Sequence, residues 1–370
     1  MAYFNFNNIR ITGIACAVPK TKVKASNHYD KFGQEHVDQF VKMTGVEEVR
    51  KTGPHQTASD LGYAAAEELL QQKKLKREDI KALVFSTHST DYRRPATACV
   101  LHKRLHLKRD CIAFDVGLGC SAFVYSTQII SALMANSDIE KGLLIVGETM
   151  SKTVHPEDKS SAMLFGDAGA AILFEKVPDH KLSGMLCSDG EGYRSIIIPA
   201  GGFRNLNAPE EPMLFSDGNK RTLYNAWMDG AKVFEFTIRD VPRTIKHYME
   251  HENTSPDTYD YFIMHQANKY IHKQLQKRLK IPPDKMPLCL DRYGNTSAAA
   301  IPLTLCNAFG ANDFKEDYQM LMSGFGVGLS WGVMGTSISC TDIYPIIETD
   351  EYFTEGIINT PEDWEETEDV

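Results

Sequence analysis

No stretch of this 370-residue sequence is apolar for 18 residues in a row, so no membrane-spanning helix is expected. The N-terminus lacks the basic stretch followed by an apolar one that marks a secretory signal, and a cytoplasmic protein is expected. None of the eight cysteines belongs to a Cys-x-x-Cys pair, which argues against a zinc site and against a disulfide scaffold. His102 and His106 stand four apart on a predicted helix, yet no third ligand accompanies them, so no metal is expected. There is no Gly-x-x-x-x-Gly-Lys-Ser/Thr loop, so the turn Gly166–Gly169 is not a nucleotide-binding loop. The net charge is −9, but ten acidic residues and no Lys or Arg lie from Glu348 onward, leaving the rest of the chain nearly neutral. Such a body carries no nucleic-acid signature. The acidic tail, 346–370, is predicted to be a disordered, solubilising extension. The alternative is that it folds over the dimer or a neighbouring protein, using Ile357, Ile358 and Trp364.

What is present is an alternation of strands and helices on a 42% hydrophobic composition, enough for a large core. The first half reads as strand Ile9–Ala17, helix Ala58–Gln72, strand Ala82–Thr87, helix Thr97–Leu105, strand Cys111–Asp115, helix Ser121–Ala135 and strand Gly142–Val146. The Ala-rich strand Ala170–Glu175 closes it. The second half reads as helix Ala226–His251, strand Tyr261–His265, helices Tyr270–Leu279 and Ser297–Phe309, and strand Tyr318–Met322. This pattern predicts α/β layering. Lys152–Ser161 and Gly201–Thr222 are predicted loops at the site entrance.

Three residues at strand-to-helix junctions carry the chemistry. Cys120 ends a glycine-rich turn, Gly117-Leu-Gly-Cys120, and opens a helix. Unpaired N–H groups and the helix dipole there favour thiolate, the nucleophilic form. His265 is delivered at the end of strand Tyr261–Met264, where sites assemble in α/β folds. Asn295 stands in a turn leading to the small residues Ser297–Ala300. Each alone has a bland reading: a buried thiol, a core histidine, an N-cap. Together they point to thioester chemistry on a cysteine.

With these residues the sequence resembles the β-ketoacyl-acyl-carrier-protein synthase III group of the thiolase superfamily. The resemblance rests on Gly119-Cys-Ser121, His265-Gln-Ala-Asn268, Tyr293-Gly-Asn-Thr-Ser297, Phe165-Gly-Asp-Ala-Gly169 and Phe325-Gly-Val-Gly-Leu-Ser-Trp-Gly332. It implies a thiolase fold: two similar α/β halves, 1–178 and 179–345, stacked as α-β-α-β-α, usually in a homodimer. It implies Cys120, His265 and Asn295 as the catalytic triad. Backbone N–H groups of Cys120 and Val327 are implied as oxyanion donors, and Phe325 as the residue packed beside the nucleophile. Asn268 falls in the substrate-facing His265–Asn268 run. The implied reaction is acylation of Cys120, followed by decarboxylative condensation with a malonyl thioester to a 3-ketoacyl thioester. No metal or redox cofactor is implied, because coenzyme A or phosphopantetheine thioesters are the substrates. Transfer of the acyl group to an oxygen or nitrogen nucleophile without decarboxylation is the alternative. A non-catalytic partner subunit is the second, which the intact triad disfavours.

The departures from the family bear on specificity. Where the family stacks adenine between a Trp and the Arg of an Arg-Thr-Gly run, this chain has Gln39 and Met43-Thr44-Gly45. A second coenzyme-binding Arg is Lys159, which keeps charge but loses the bidentate fork. The basic carrier-docking position is Tyr270, although Lys269, Lys273, Lys277 and Lys280 line one face of the same helix and suit an acidic carrier. An apolar residue that reaches across the dimer is Arg94. A buried unpaired guanidinium is expensive, so Arg94 should meet an anion, a polar acyl group, water or a local carboxylate such as Asp91. These departures favour specialised or lipid-related biosynthesis over primary fatty-acid initiation.

Overall fold

The structure, a computed structural model, describes residues 1–311 and 317–364. Two large sheets organise them. The first has six strands in the order Ile347–Thr349, Ile9–Pro19, Ala168–Lys176, Lys141–Glu148, Ile80–Ser86, Ile112–Val116. The second has five, in the order Ala2–Phe6, Leu182–Ser188, Ser330–Ser339, Asp317–Gly326, Tyr261–Met264. The same succession recurs in both. Ile9–Pro19, Ala168–Lys176, Lys141–Glu148 and Ile80–Ser86 pair antiparallel, antiparallel, then parallel, and so do Leu182–Ser188, Ser330–Ser339, Asp317–Gly326 and Tyr261–Met264. This is the duplication the thiolase fold requires, and no short sequence repeat announces it. Neither half is a contiguous stretch of chain, because Ala2–Phe6 joins the second sheet and Ile347–Thr349 the first.

Strand composition explains the layering. In the first sheet, Leu83, Phe85, Leu143, Ile145, Ala171 and Leu173 face an outer cluster with helices Ala58–Lys73 and Thr97–Arg104. The alternate residues Ala82, Val84, Leu144, Val146, Ile172 and Phe174 face a central cluster with helices Ala122–Ala135 and Ala300–Phe309. Strands covered on both faces read as continuous apolar runs rather than alternating ones. Helices Gly230–His251 and Lys269–Leu279 cover the outer face of the second sheet, through Phe236, Ile245 and Leu275 against Phe262, Leu321 and Val333. The central helices touch both sheets. Ala122–Ala135 is accordingly apolar nearly all round, burying Phe123, Val124, Ile130 and Met134.

As far as residue 364, where the described residues end, the acidic tail departs from the expectation of disorder. Ile347–Thr349 extends the first sheet in parallel with Ala17–Pro19. Its acids meet the body individually: Glu348 pairs with Arg50 at 2.8 Å, Asp350 accepts the Lys20 N–H at 3.1 Å, and Glu355 lies 3.7 Å from Lys103. Distributed partners in the body remove the self-repulsion that a run of like charges suggests. Ile358 stays exposed, and the proposed docking of the Trp364 side chain lies outside what is described.

Candidate active site

Cys120 follows the strand Ile112–Val116 through the turn Gly117–Gly119 and precedes the central helix Ala122–Ala135. Two glycines let the chain close around it. A Cβ on Gly119 would stand 3.2 Å from both His88 Nδ1 and Ser297 Oγ, and 3.3 Å from Val327 Cγ1. A Cβ on Gly326 would stand 2.6 Å from Cys120 Cβ and 2.9 Å from its sulphur. His265 leaves the strand Tyr261–Met264 with its backbone N–H donating to Ser323 O at 2.8 Å. The rest of that run is scaffolding: Gln266 Nε2 donates to Met264 O at 3.0 Å, and Asn268 Oδ1 caps the next helix by accepting Ile271 N–H at 2.8 Å. Asn295 is held on both sides, by its own N–H to Leu164 O and by Gly166 N–H to its carbonyl. Its Oδ1 accepts Ser297 N–H at 2.9 Å. The amide oxygen is thus occupied, and the Nδ2 donors are left for the cavity.

Electrostatics differ from expectation at Cys120. Burial pushes the Cys120 thiol up to about 11, with the Glu148 carboxylate adding in the same direction. The Ser297 hydroxyl, 3.5 Å from the sulphur, and backbone N–H groups of Val327 and Cys120 oppose this without overcoming it. Desolvation outweighs the helix terminus, so the resting cysteine is a thiol. His265 is driven the other way, to about 3, chiefly by burial and then by the neighbouring His272, against a hydrogen bond that its ring donates to the Ser297 backbone. It is therefore neutral, with Nδ1 buried and unpartnered and its ring edge-on to Phe325 at 5.3 Å.

Cys120, His265, Asn295, Ser297 and Phe325 share the floor of one cavity of about 650 Å³. Ile196–Ile198, Trp227 and Phe234 form apolar walls, and Asn268 and Tyr270 reach the rim. Both predicted entrance loops contribute. Arg221 is 2% exposed and bridges Asp158 at 2.5 Å to Asp217 at 2.6 Å, tying one loop to the other. Lys159 lies outside the lining: its side chain is exposed, and its backbone N–H donates to Asn219 Oδ1. Lys269 and Lys273 are exposed, the stem of Lys269 packing over Gly45. Arg94 is exposed and outside the cavity of its own chain. Asp91, offered as its partner, instead accepts the Ser59 hydroxyl at 2.8 Å. Ser297, His88 and Glu148 are among the lining residues that escaped sequence reasoning. Ser297 had a signal, since it closes the Tyr293–Ser297 run. His88 and Glu148 had none: Glu148 is wholly buried, accepting His88 N–H at 2.8 Å and the Ser89 hydroxyl at 2.5 Å.

Comparison with known proteins decides the family. The chain matches the description "3-Oxoacyl-[acyl-carrier-protein (ACP)] synthase III" over residues 114–190 and its C-terminal counterpart over residues 249–337. It is 33% identical over 348 residues to a β-ketoacyl-[acyl-carrier-protein] synthase III of Rhodopirellula baltica, covering 89% of this chain and 98% of that protein. The chain belongs to the 3-oxoacyl-acyl-carrier-protein synthase III family. A putative synthase of Campylobacter jejuni is 31% identical over 333 residues, 88% of this chain and 93% of that one. Among solved structures, a 3-oxoacyl-(acyl-carrier protein) synthase from Burkholderia xenovorans superposes with a TM-score of 0.89 at 33% identity, covering 94% of this chain and 99% of that one. Synthase III membership makes this protein an acyltransferase with a thiolase fold.

Proposed function

We propose that this synthase accepts an acyl group on Cys120 and condenses it decarboxylatively with a malonyl thioester. In the first half-reaction the Cys120 sulphur attacks the donor carbonyl. Backbone N–H groups of Cys120 and Val327 receive the oxyanion, the donor C–S bond breaks, and the thiol leaves with the proton Cys120 gives up. In the second, His265 and Asn295 donate N–H bonds to the malonyl thioester oxygen. Carbon dioxide departs and leaves the electron pair on the α-carbon as an enolate. That carbon attacks the acyl-Cys120 carbonyl, a C–C bond forms, and Cys120 is released as thiolate. The observation that supports this reading is that Cys120, His265 and Asn295 line one cavity, with the Asn295 amide oxygen already taken by the Ser297 N–H. An imidazole with a pKa near 3 can offer an N–H without protonating the carbanion.

Exposed Lys269, Lys273 and Lys277 lead away from the rim residues Asn268 and Tyr270, which supports docking of an acidic carrier protein there. The strand Ile112–Val116 is an open edge of the first sheet with Ile112 47% exposed, which supports a homodimer formed along it. All eight cysteines are free, in keeping with a reducing, cytoplasmic setting. Release of labelled carbon dioxide from carboxyl-labelled malonyl-carrier tests the reaction class. Release that depends on prior acylation and falls by about 10²–10³-fold in Asn295→Ala is expected. Acyl transfer to a small alcohol or amine with no carbon dioxide would overturn it.

A further inference from the structure

Residues 347–356 lie beyond residue 337, where the family match ends, yet they are tied to the body at successive points. After the ladder with Ala17–Pro19, Gln56 Nε2 donates to Thr349 O at 3.1 Å and Glu351 O at 3.0 Å. Phe353 N–H then donates to Asp60 Oδ1 at 2.9 Å, while Asp60 Oδ2 caps helix Ala58–Lys73 by accepting Thr57 N–H at 2.8 Å. The Arg104 guanidinium, paired with Asp60 at 2.9 Å, lies 4.3 Å from the Tyr63 ring centre and 4.8 Å from that of Phe353. Asp60 and Arg104 of the body thus hold one phenylalanine of the tail, with Tyr63 against the same guanidinium.

The segment ends on the loop that walls the reactive cavity. Gly356 O accepts the Tyr92 hydroxyl at 2.6 Å. Tyr92 belongs to His88–Pro95, whose first two residues, His88 and Ser89, line the cavity beside Cys120. Its neighbour Asp91 is fixed from the same side, because the Ser59 hydroxyl donates to it at 2.8 Å and Arg104 reaches Ser59 at 3.4 Å. Arg93 lies 6.0 Å from the ring of Phe203 in the entrance loop. A single stretch of chain therefore joins the tail, the cavity wall and the entrance.

We propose that residues 347–356 are a strap that fixes the cavity-wall segment His88–Pro95, with Tyr92 as the clasp, so that the C-terminal extension sets the shape of the cavity offered to the acyl group. Tyr92 is a positioning residue in this account, acting on the cavity through its own loop. The inference concerns the wall and stands apart from which reaction Cys120 performs.

The test measures Cys120 alkylation by iodoacetamide and by N-alkylmaleimides of increasing chain length, taking the ratio of long-chain to short-reagent rates. Tyr92→Phe, Phe353→Ala and a chain ending at Ile346 should each change that ratio at least about fivefold, a shift on the order of one hydrogen bond or ring contact. A chain ending at Thr360 keeps the strap and should match the full-length protein. If Tyr92→Phe and Phe353→Ala fold, as judged by melting, and retain the full-length ratio, the strap proposal is overturned. A lowered melting temperature with an unchanged ratio overturns it too, since that is a purely structural role. The readout needs no turnover, so loss of the strap effect and failure of the proposed condensation are distinguishable.

Discussion

The Ser297 hydroxyl lies 3.5 Å from the Cys120 sulphur, and Ser297 itself sits at φ +49°, a conformation L-residues rarely adopt. Its N–H is held by Asn295 Oδ1 at 2.9 Å, so the residue whose hydroxyl touches the Cys120 sulphur is itself fixed by Asn295. Strain of this kind persists where surrounding contacts over-determine it. Ser297→Ala keeps the backbone and removes the hydroxyl, and alkylation of Cys120 near neutral pH should slow by about three- to tenfold, the value of one net hydrogen bond. A rate equal to wild type would remove Ser297 from the account.

With its thiol pushed up to about 11, unliganded Cys120 should alkylate about tenfold faster for each pH unit across the neutral and mildly alkaline range. A plateau reached below about pH 8 would mean the helix terminus prevails over burial after all.

Asn295→Ala should lower decarboxylation by about 10²–10³-fold, the typical cost of losing one oxyanion donor. Acylation of Cys120 uses other donors and should stay within about tenfold of wild type. Equal losses in both half-reactions would indicate a collapsed site rather than a missing amide.

Two buried histidines make the fold acid-sensitive. Burial depresses His265 to about 3 and His272 to about 4. Well above the unfolded pKa of about 6.5 both are neutral, folded or unfolded, and add no pH dependence. As pH falls below that value the unfolded chain takes up protons the fold refuses, and stability drops until the folded pKa values are reached. His272→Leu should therefore narrow the stability gap between pH 7 and pH 5 by about 2 kcal/mol in denaturant titrations. An unchanged gap would place the acid sensitivity elsewhere.

Arg221 is the buried tie between the entrance loops, over the Phe215 ring at 5.3 Å. Arg221→Met leaves Asp158 buried without its cation and should cost about 3–5 kcal/mol. A loss below about 1 kcal/mol would mean water replaces the guanidinium.

The sequence made the layers legible because strands buried on both faces are apolar throughout, and Cys120 and His265 do follow strands into helices, whereas Asn295 stands in a turn between helix Leu290–Tyr293 and the turn Ser297–Ala299. The central antiparallel strand Ser330–Ser339 was read only as a glycine-rich motif. Its Gly332 and Gly335 mask strand character, and its identity depends on pairing with Asp317–Gly326 and Leu182–Ser188. Helix Gly230–His251 begins four residues later than its periodicity suggests, because Trp227–Met228 pairs with Ile196–Ile197 instead. At Cys120 the helix terminus is visible in sequence, whereas the burial that pushes its thiol up is not. The order of the described tail was invisible for a similar reason: Arg50, Gln56 and Arg104, which hold it, lie between 249 and 298 residues away in the chain.

The central claim is that Cys120 carries the acyl group. Intact-protein mass spectrometry after incubation with acyl-coenzyme A and acyl-carrier thioesters tests it most directly. The account predicts a mass gain of one acyl group in the wild type, absent in Cys120→Ala and discharged on adding malonyl-carrier. The same gain in Cys120→Ala, or none in the wild type with any donor, would contradict it.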